Sequence, residues 1–402
     1  MIEIQPALGY DSAKNGLPMR HIVYCWELGE GLGHMMALTK IVQQLIAQGN
    51  HVTCILKDLT HASRMLKPLG ATWLAAPRMW SSNKFITPYN HADILHNTGY
   101  GSVESVVALL VAWRTALAVL KPDRVVCEYA PTALLAAKSL DLDVVCIDSG
   151  FSMPPLSASL QNPMVPIRPG ATTAELLGAE ARTLSIVNHA LAETGLPSIP
   201  AFSGLFREKV WYRNWCEFNH FAPHSPERHL GQVFGDSGGI KPMWPEGHGK
   251  KLFAYLKPQH PRSVEVLKTA ISRGYRVLAY LPGFAKDVVS DLMTSGRLAA
   301  SPLPYRLAEL PDDVEVGIWH SPTGAVARCL DSGMRMIFLP MHPEQLLASY
   351  AIRRAGLPAY VSTCAEDWSD VLESVAALPR PGRDRRWQAA DVSDFASKLA
   401  GL

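Results

Sequence analysis

Apolar runs of strand length alternate with apolar residues at helical spacing along most of the chain, and glycine, proline or polar residues mark each change of period. His21–Trp26 reads as a strand, followed by a glycine-rich turn from Glu27 to His34. Leu38, Ile41, Val42, Leu45 and Ile46 then form one face of a helix that stops at Gly49-Asn50. A strand at His51–Lys57, a helix at Ser63–Leu69 and a strand at Ala71–Ala75 repeat the cycle. Ser102–Leu120 and Thr132–Leu140 read as helices around the strand Arg124–Cys127, and Val144–Ile147 as the next strand. The pattern returns as strand Lys251–Leu256, helix Pro261–Arg273 and strand Tyr275–Leu281. Strands and helices alternating at these lengths predict an α/β fold built on doubly wound parallel sheets.

The 402 residues suffice for two domains, each with its own core. Between Ser149 and Gly249 the pattern weakens to a Pro-rich loop, a helix near Thr173–Thr194 and strand-like runs at Glu217–Phe221 and Gly231–Gly235. Glycine and proline concentrate from Gly238 to Gly249, which marks a linker. The expected layout is an extension at 1–19, a first domain at 20–241, a linker at 242–250 and a second domain at 251–385. A terminal helix within 386–402 is expected to pack back on the first domain.

The most informative stretch runs from Val314 to Tyr350. An apolar strand, Val314–Trp319, delivers His320, and Ser321, Pro322, Thr323 and Gly324 then lead into a helix that opens at Ala325. A strand end and a small-residue turn ahead of a helix start leave backbone N–H groups for an anion. A second strand, Met336–Leu339, delivers Pro340 and the polar residues His342, Glu344 and Gln345. An anion cradle followed by a carboxylate–amide pair suits a nucleotide sugar, with diphosphate at His320, Ser321, Thr323, Gly324 and Ala325. Glu344 and Gln345 would then hold the sugar hydroxyls.

In order and spacing, His320, Gly333, Pro340, Glu344 and Gln345 resemble the donor signature of the UDP-glycosyltransferases, GT-B enzymes that use nucleotide sugars. The chain departs from that pattern at Pro322, at Arg328 and at Lys257-Pro258. The resemblance implies two Rossmann-like domains facing each other across a cleft, and an inverting, metal-independent hexosyltransferase. It implies that His34, after Gly33, is the general base and that Glu128, at a later strand end, orients its imidazole. It places the nucleoside near Pro304, Tyr305 and Arg328, and the acceptor in the aperiodic segment holding Trp80, Tyr89, His91 and His96. The partners implied are a UDP- or dTDP-type sugar donor, as co-substrate rather than cofactor, and a small or lipophilic hydroxyl acceptor.

Gly29, Gly31 and Gly33 imitate a dinucleotide fingerprint, but their spacing is wrong for one. Asp141-Leu142-Asp143 imitates a metal-binding DxD yet falls in a turn between a helix and a strand, so no metal is assigned to it. A net charge of +2 gives no reason to expect nucleic acid. Seven cysteines without a CxxC pair indicate neither zinc nor a disulfide framework, and no signal peptide precedes the first strand, so a cytoplasmic location is expected. Val106–Leu120 is too short for a membrane span and reads as a buried helix, which leaves room only for peripheral membrane contact. Three rival readings remain. One is a nucleotide-sugar-binding subunit of the same fold without turnover, and another, for which no extra carboxylates beside His320 speak, is a UDP-GlcNAc-type epimerase. The third is a retaining transferase of the same fold, disfavoured because Arg328 and Asp331 stand where its two Glu residues eight apart would be.

Overall fold

A computed structural model of the protein describes residues 19–29, 32–79, 85–152, 172–206, 209–221, 228–233, 239–320, 326–362, 367–382 and 390–401. In the first half the strands are β1 (His21–Trp26), β2 (His51–Leu56), β3 (Thr72–Ala75), β4 (Arg124–Glu128), β5 (Val144–Asp148) and β6 (Lys209–Tyr212). The helices there are α1 (Leu32–Ala47), α2 (Ala62–Leu66), α3 (His91–Leu95), α4 (Val103–Leu120), α5 (Pro131–Ser139) and α6 (Thr173–Glu193). The second half holds β7 (Lys251–Tyr255), β8 (Arg276–Tyr280), β9 (Leu298–Ser301), β10 (Val314–Trp319), β11 (Arg335–Phe338) and β12 (Ala359–Val361). Its helices are α7 (Ser263–Ser272), α8 (Lys286–Met293), α9 (Val326–Ser332), α10 (Pro343–Arg354) and α11 (Trp368–Ala377), and α12 (Val392–Ala400) follows.

Each half is a parallel sheet of six strands, ordered β3-β2-β1-β4-β5-β6 and β12-β11-β10-β7-β8-β9. In both, the first strand of the half lies inside the sheet and the order reverses beside it. The crevice at the carboxyl ends of the strands on either side of such a reversal is where doubly wound sheets bind ligands. In the first sheet these strands are β1 and β4, paired so that Trp26 lies opposite Glu128, and β5 adds the next rung with Ile147 opposite Glu128. Strands β4 and β5 are buried along their whole length, which is why their sequences are runs rather than alternations of apolar residues.

Two expectations for the first half change. The strand beside β5 is Lys209–Tyr212, while Glu217–Phe221 forms a 3-10 turn and loop instead of a strand. Gly231–Gly235 contributes no strand among its described residues. The loop after β6 sends Trp215 and Phe218 into the core of the second half, a packing role that accounts for its apolar composition. The helix expected at Val106–Leu120 spans 18 residues and is long and apolar enough to cross a membrane by length and composition. It packs Val106, Leu109, Leu110, Trp113 and Leu117 into the core of the first half and leaves Val111 and Val119 exposed.

The final helix crosses back. Phe395, Ala396, Leu399 and Ala400 share a buried cluster with Ile22, Leu38, Ile41 and Leu45 of the first half. Gln48 donates to the Ser393 carbonyl (2.9 Å), and Asp391 caps the helix by accepting from the Ser393 and Asp394 amides.

A carboxylate at the end of β1 fixes the start of α5. Glu27, buried, accepts from the Thr132 and Ala133 amides (2.9 and 3.3 Å) and from the Thr132 hydroxyl. Burial pushes its carboxyl up from 4.5 to about 7, against the lowering effect of those donors. Folding therefore takes up a proton at Glu27 between these values. The stability tied to that proton is complete below 4.5 and is lost as pH rises through about 7. Glu27→Gln is expected to match the wild type in urea unfolding at pH 5 and to exceed it by about 1–3 kcal/mol at pH 8. A stability difference that does not change with pH would show that Glu27 is ionised throughout.

Candidate active site

The carboxyl ends of β4, β5 and β6 and the first turn of α1 converge on one small cavity, lined by His34, Glu128, Tyr129, Asp148 and Arg213. Ser149, Phe151 and Ser152 complete its wall on this side, and Glu344 of α10 closes it from the second half. The cavity thus lies between the halves.

His34 stands in the first turn of α1, its side chain 12% exposed. Its Nδ1–H donates to Oε1 of Glu128 at 2.8 Å, and the ring stacks on Trp26 with centroids 5.1 Å apart. With Nδ1 committed, Nε2 is the nitrogen left to accept a proton. Gly29 makes the approach to Nε2 possible. Its φ of +84° suits glycine, and a Cβ there would stand 2.7 Å from Nε2, so the ring would have to shift.

Glu128 is buried among three donors. Oε1 takes the His34 bond and a second one from Arg213 Nη2 at 2.8 Å, and Oε2 takes the Tyr24 hydroxyl at 2.5 Å. Burial alone would raise its carboxyl, but Arg213, His34 and Tyr24 outweigh it and hold Glu128 at about 2. The carboxylate is ionised whenever the protein is folded near neutrality, as a group that stabilises a nascent imidazolium must be. Tyr129, next in sequence, has a φ of +44°. A non-glycine residue in this region is strained, and such strain clusters at functional sites. Its carbonyl accepts from the Leu28 amide at 2.9 Å, while its buried hydroxyl has no partner.

In the second half the expected residues fall out differently. His320 is 1% exposed, with Nδ1–H donating to the Leu339 carbonyl (2.8 Å) and Nε2 accepting from the Lys257 amide (2.6 Å). Burial lowers its pKa to about 4, so the ring is neutral and ties the end of β10 to β11 and to the loop after β7. Both nitrogens serve the backbone, and neither is left for a diphosphate. Ser321, Thr323, Gly324 and Ala325 lie outside the described residues, as does the side chain of Arg328. Gln345 is turned inward, its Oε1 accepting from the Met341 amide at 2.8 Å, whereas Glu344 faces the cavity. Tyr305 is buried against Phe253. Ile240, just ahead of the linker, binds the backbone on either side of Tyr305, since the Ile240 amide donates to the Pro304 carbonyl and the Arg306 amide to the Ile240 carbonyl, both at 2.9 Å.

Of the expected acceptor residues, Trp80 is outside the described residues, and Tyr89 and His96 are half-buried without lining the cavity. His91 is buried under Phe151, donating from Nε2 to the Phe151 carbonyl at 2.9 Å, and burial lowers its pKa to about 4. It supports the cavity wall rather than facing the cavity. Asp148 and Arg213 were not singled out in the sequence. Asp148 ends a parallel strand just as Glu128 does, so the same rule pointed to it, whereas Arg213 follows a strand that the sequence pattern misplaces. The Asp141-Leu142-Asp143 turn lies at the opposite, amino end of β5, with Asp143 paired to Arg124 at 2.8 Å.

No protein-family model matches the sequence, and no curated protein matches it. Solved structures match it over nearly their whole length. CalG4, the calicheamicin glycosyltransferase, is 18% identical with a TM-score of 0.68, covering 96% of each chain. The glycosyltransferase of kitacinnamycin is 16% identical with a TM-score of 0.67, covering 95% of this chain and 94% of that one. The spinosyn rhamnosyltransferase SpnG, complexed with thymidine diphosphate, is 16% identical with a TM-score of 0.60, covering 95% of both. The two doubly wound sheets and the cavity between them are arranged in the GT-B glycosyltransferase fold.

Proposed function

We propose that the protein is an inverting glycosyltransferase that moves a hexose from a UDP- or dTDP-linked donor to a hydroxyl of a small, lipophilic acceptor. The observation that carries this reading is the Trp26–His34–Glu128–Arg213 arrangement, closed by Glu344 from the facing half. In this reading His34 Nε2 takes the proton of the acceptor hydroxyl as its oxygen attacks the anomeric carbon. The bond from that carbon to the diphosphate oxygen breaks, and its electron pair leaves with the nucleoside diphosphate. Glu128 holds the imidazole in the tautomer with Nε2 free and stabilises the imidazolium. In the same reading Glu344, which lines the cavity, accepts from the sugar hydroxyls. Solved structures of this fold with thymidine diphosphate (SpnG, SsfS6) or with a spinosyn aglycone support the donor and acceptor classes. Metal independence is part of the proposal, and it is supported by the placement of the one DxD sequence at the amino end of β5, away from the cavity.

A second reading, a donor-binding subunit without turnover, is favoured by the commitment of both His320 nitrogens to the backbone. Calorimetric titration with dTDP, UDP and GDP, followed by hydrolysis assays on the corresponding glucose donors, separates the two. Binding of dTDP or UDP with slow donor hydrolysis that survives EDTA is the expected result. Binding without hydrolysis or transfer selects the second reading, and no binding at millimolar nucleotide sinks both.

A further inference from the structure

We propose that Asp148 selects the acceptor: its Oδ2 accepts a hydrogen bond from a second donor group, hydroxyl or amine, on the atom next to the reacting hydroxyl. The preferred acceptors would be vicinal diols and amino alcohols. The inference rests on the glycosyltransferase reading and sharpens its acceptor class.

Asp148 ends β5, the strand beside the one that ends in Glu128, so both carboxylates leave the same edge of the sheet into the same cavity. Their surroundings differ. Glu128 has three donors, one of them a guanidinium, and both of its oxygens are engaged. In Asp148 one oxygen is fully used: Oδ1 accepts from the Ser149 amide (2.8 Å), the Ser152 amide (3.2 Å) and the Ser152 hydroxyl (2.5 Å). These three bonds lock the carboxylate plane. The other oxygen, Oδ2, makes no geometrically formed hydrogen bond although the residue is only 3% exposed and the Gly150 amide lies near the carboxylate. A buried acceptor left unsatisfied is costly, and native structures retain few of them without a reason. The Tyr129 hydroxyl, also unpartnered, lines the same cavity. Two unsatisfied polar groups, a carboxylate oxygen anchored by its sister's backbone bonds and a hydroxyl beside a strained φ, make this wall polar rather than a greasy patch.

The chemistry sets the sign of the selection. Burial raises Asp148 to about 6, with Ser152 and Arg213 acting against it, so above that pH it is a carboxylate that can only accept. A neighbouring hydroxyl or ammonium on the acceptor is rewarded, while an ether oxygen at the same place meets oxygen. His34 lines the same cavity, so the group read by Asp148 must lie close to the hydroxyl that gives up its proton.

The test uses catechol, whose second hydroxyl donates, and 2-methoxyphenol, whose second oxygen only accepts. Dissociation constants at pH 8 are read by ligand-observed NMR, and kcat/KM with dTDP-glucose or UDP-glucose for any probe that is turned over. Wild type is expected to favour catechol by roughly tenfold to hundredfold. In Asp148→Asn the amide oxygen must stay with Ser149 and Ser152, so its NH2 replaces Oδ2 and the preference is expected to vanish or reverse. A change of ranking cannot come from partial unfolding. The same ranking in both proteins, no ranking in wild type, or no binding of either probe at millimolar concentration overturns the inference. So does a variant that changes only donor affinity. Nucleotide binding and donor hydrolysis are measured apart from the probes: if they hold while the ranking fails, only the role of Asp148 is lost, and if they fail, the glycosyltransferase reading falls first.

Discussion

His34→Ala is expected to lower turnover by about 10²–10⁴-fold, the usual worth of a positioned general base, with little change in nucleotide affinity. The size follows from the weak acidity of an alcohol, which does not attack an anomeric carbon at a useful rate while it keeps its proton. The selectivity follows from the layout, since His34 belongs to the first half and the nucleotide is proposed to bind the second. Single-turnover transfer and calorimetry on the same variant read the two quantities. Glu128→Gln is expected to cost less, because it removes charge but keeps a hydrogen-bonding oxygen near Nδ1. If His34→Ala turns over like wild type, no histidine of the aperiodic acceptor segment is well placed to replace it. His91 has its Nε2 on a backbone carbonyl beneath Phe151, and His96 does not line the cavity.

Arg213→Met is expected to be the most destabilising change in the site, by about 3–5 kcal/mol in urea unfolding, because it leaves a buried carboxylate without its cation. Arg213 supplies both a direct bond to Oε1 of Glu128 and the largest of the effects that offset the burial of that carboxylate. Without Arg213, burial is less opposed and the Glu128 carboxyl moves upward. The loss should therefore be larger at pH 8 than at pH 5, where a proton can neutralise the orphaned group. The double variant Arg213→Met with Glu128→Gln should recover part of the loss, since it removes both charges together. Equal losses at the two pH values, with no recovery in the double variant, would show that Arg213 acts by packing alone.

The parts of this site that were legible in the sequence are those fixed by one strand and its own end. Gly33-His34 follows β1 and Glu128 closes β4, and each could be placed because its strand is a clean apolar run. Asp148 closes an equally clean run, and only the lack of a motif around it left it unremarked. Arg213 was hidden for a physical reason. Its strand, Lys209–Tyr212, is four residues long at the edge of the sheet and too short for a period, whereas the apolar loop after it mimics a strand by packing Trp215 and Phe218 into the other half. His320 marks a different limit. Its place at the end of β10 is local information, but its hydrogen-bond partners come from Lys257 and Leu339, on segments brought beside it only by the folded sheet.

The return of α12 to the first half bears on how the protein is made. The first sheet's outer layer is unfinished until Phe395, Ala396, Leu399 and Ala400 reach Ile22 and Leu38, and burying side chains such as Phe and Leu is worth about 1.5–3 kcal/mol each. During synthesis the half that emerges first must wait, with that apolar surface open, while the whole second half is translated and folds. The second half is in effect an insertion within the first. The half that begins the chain is the last to be completed, and premature termination anywhere in the second half leaves both halves defective.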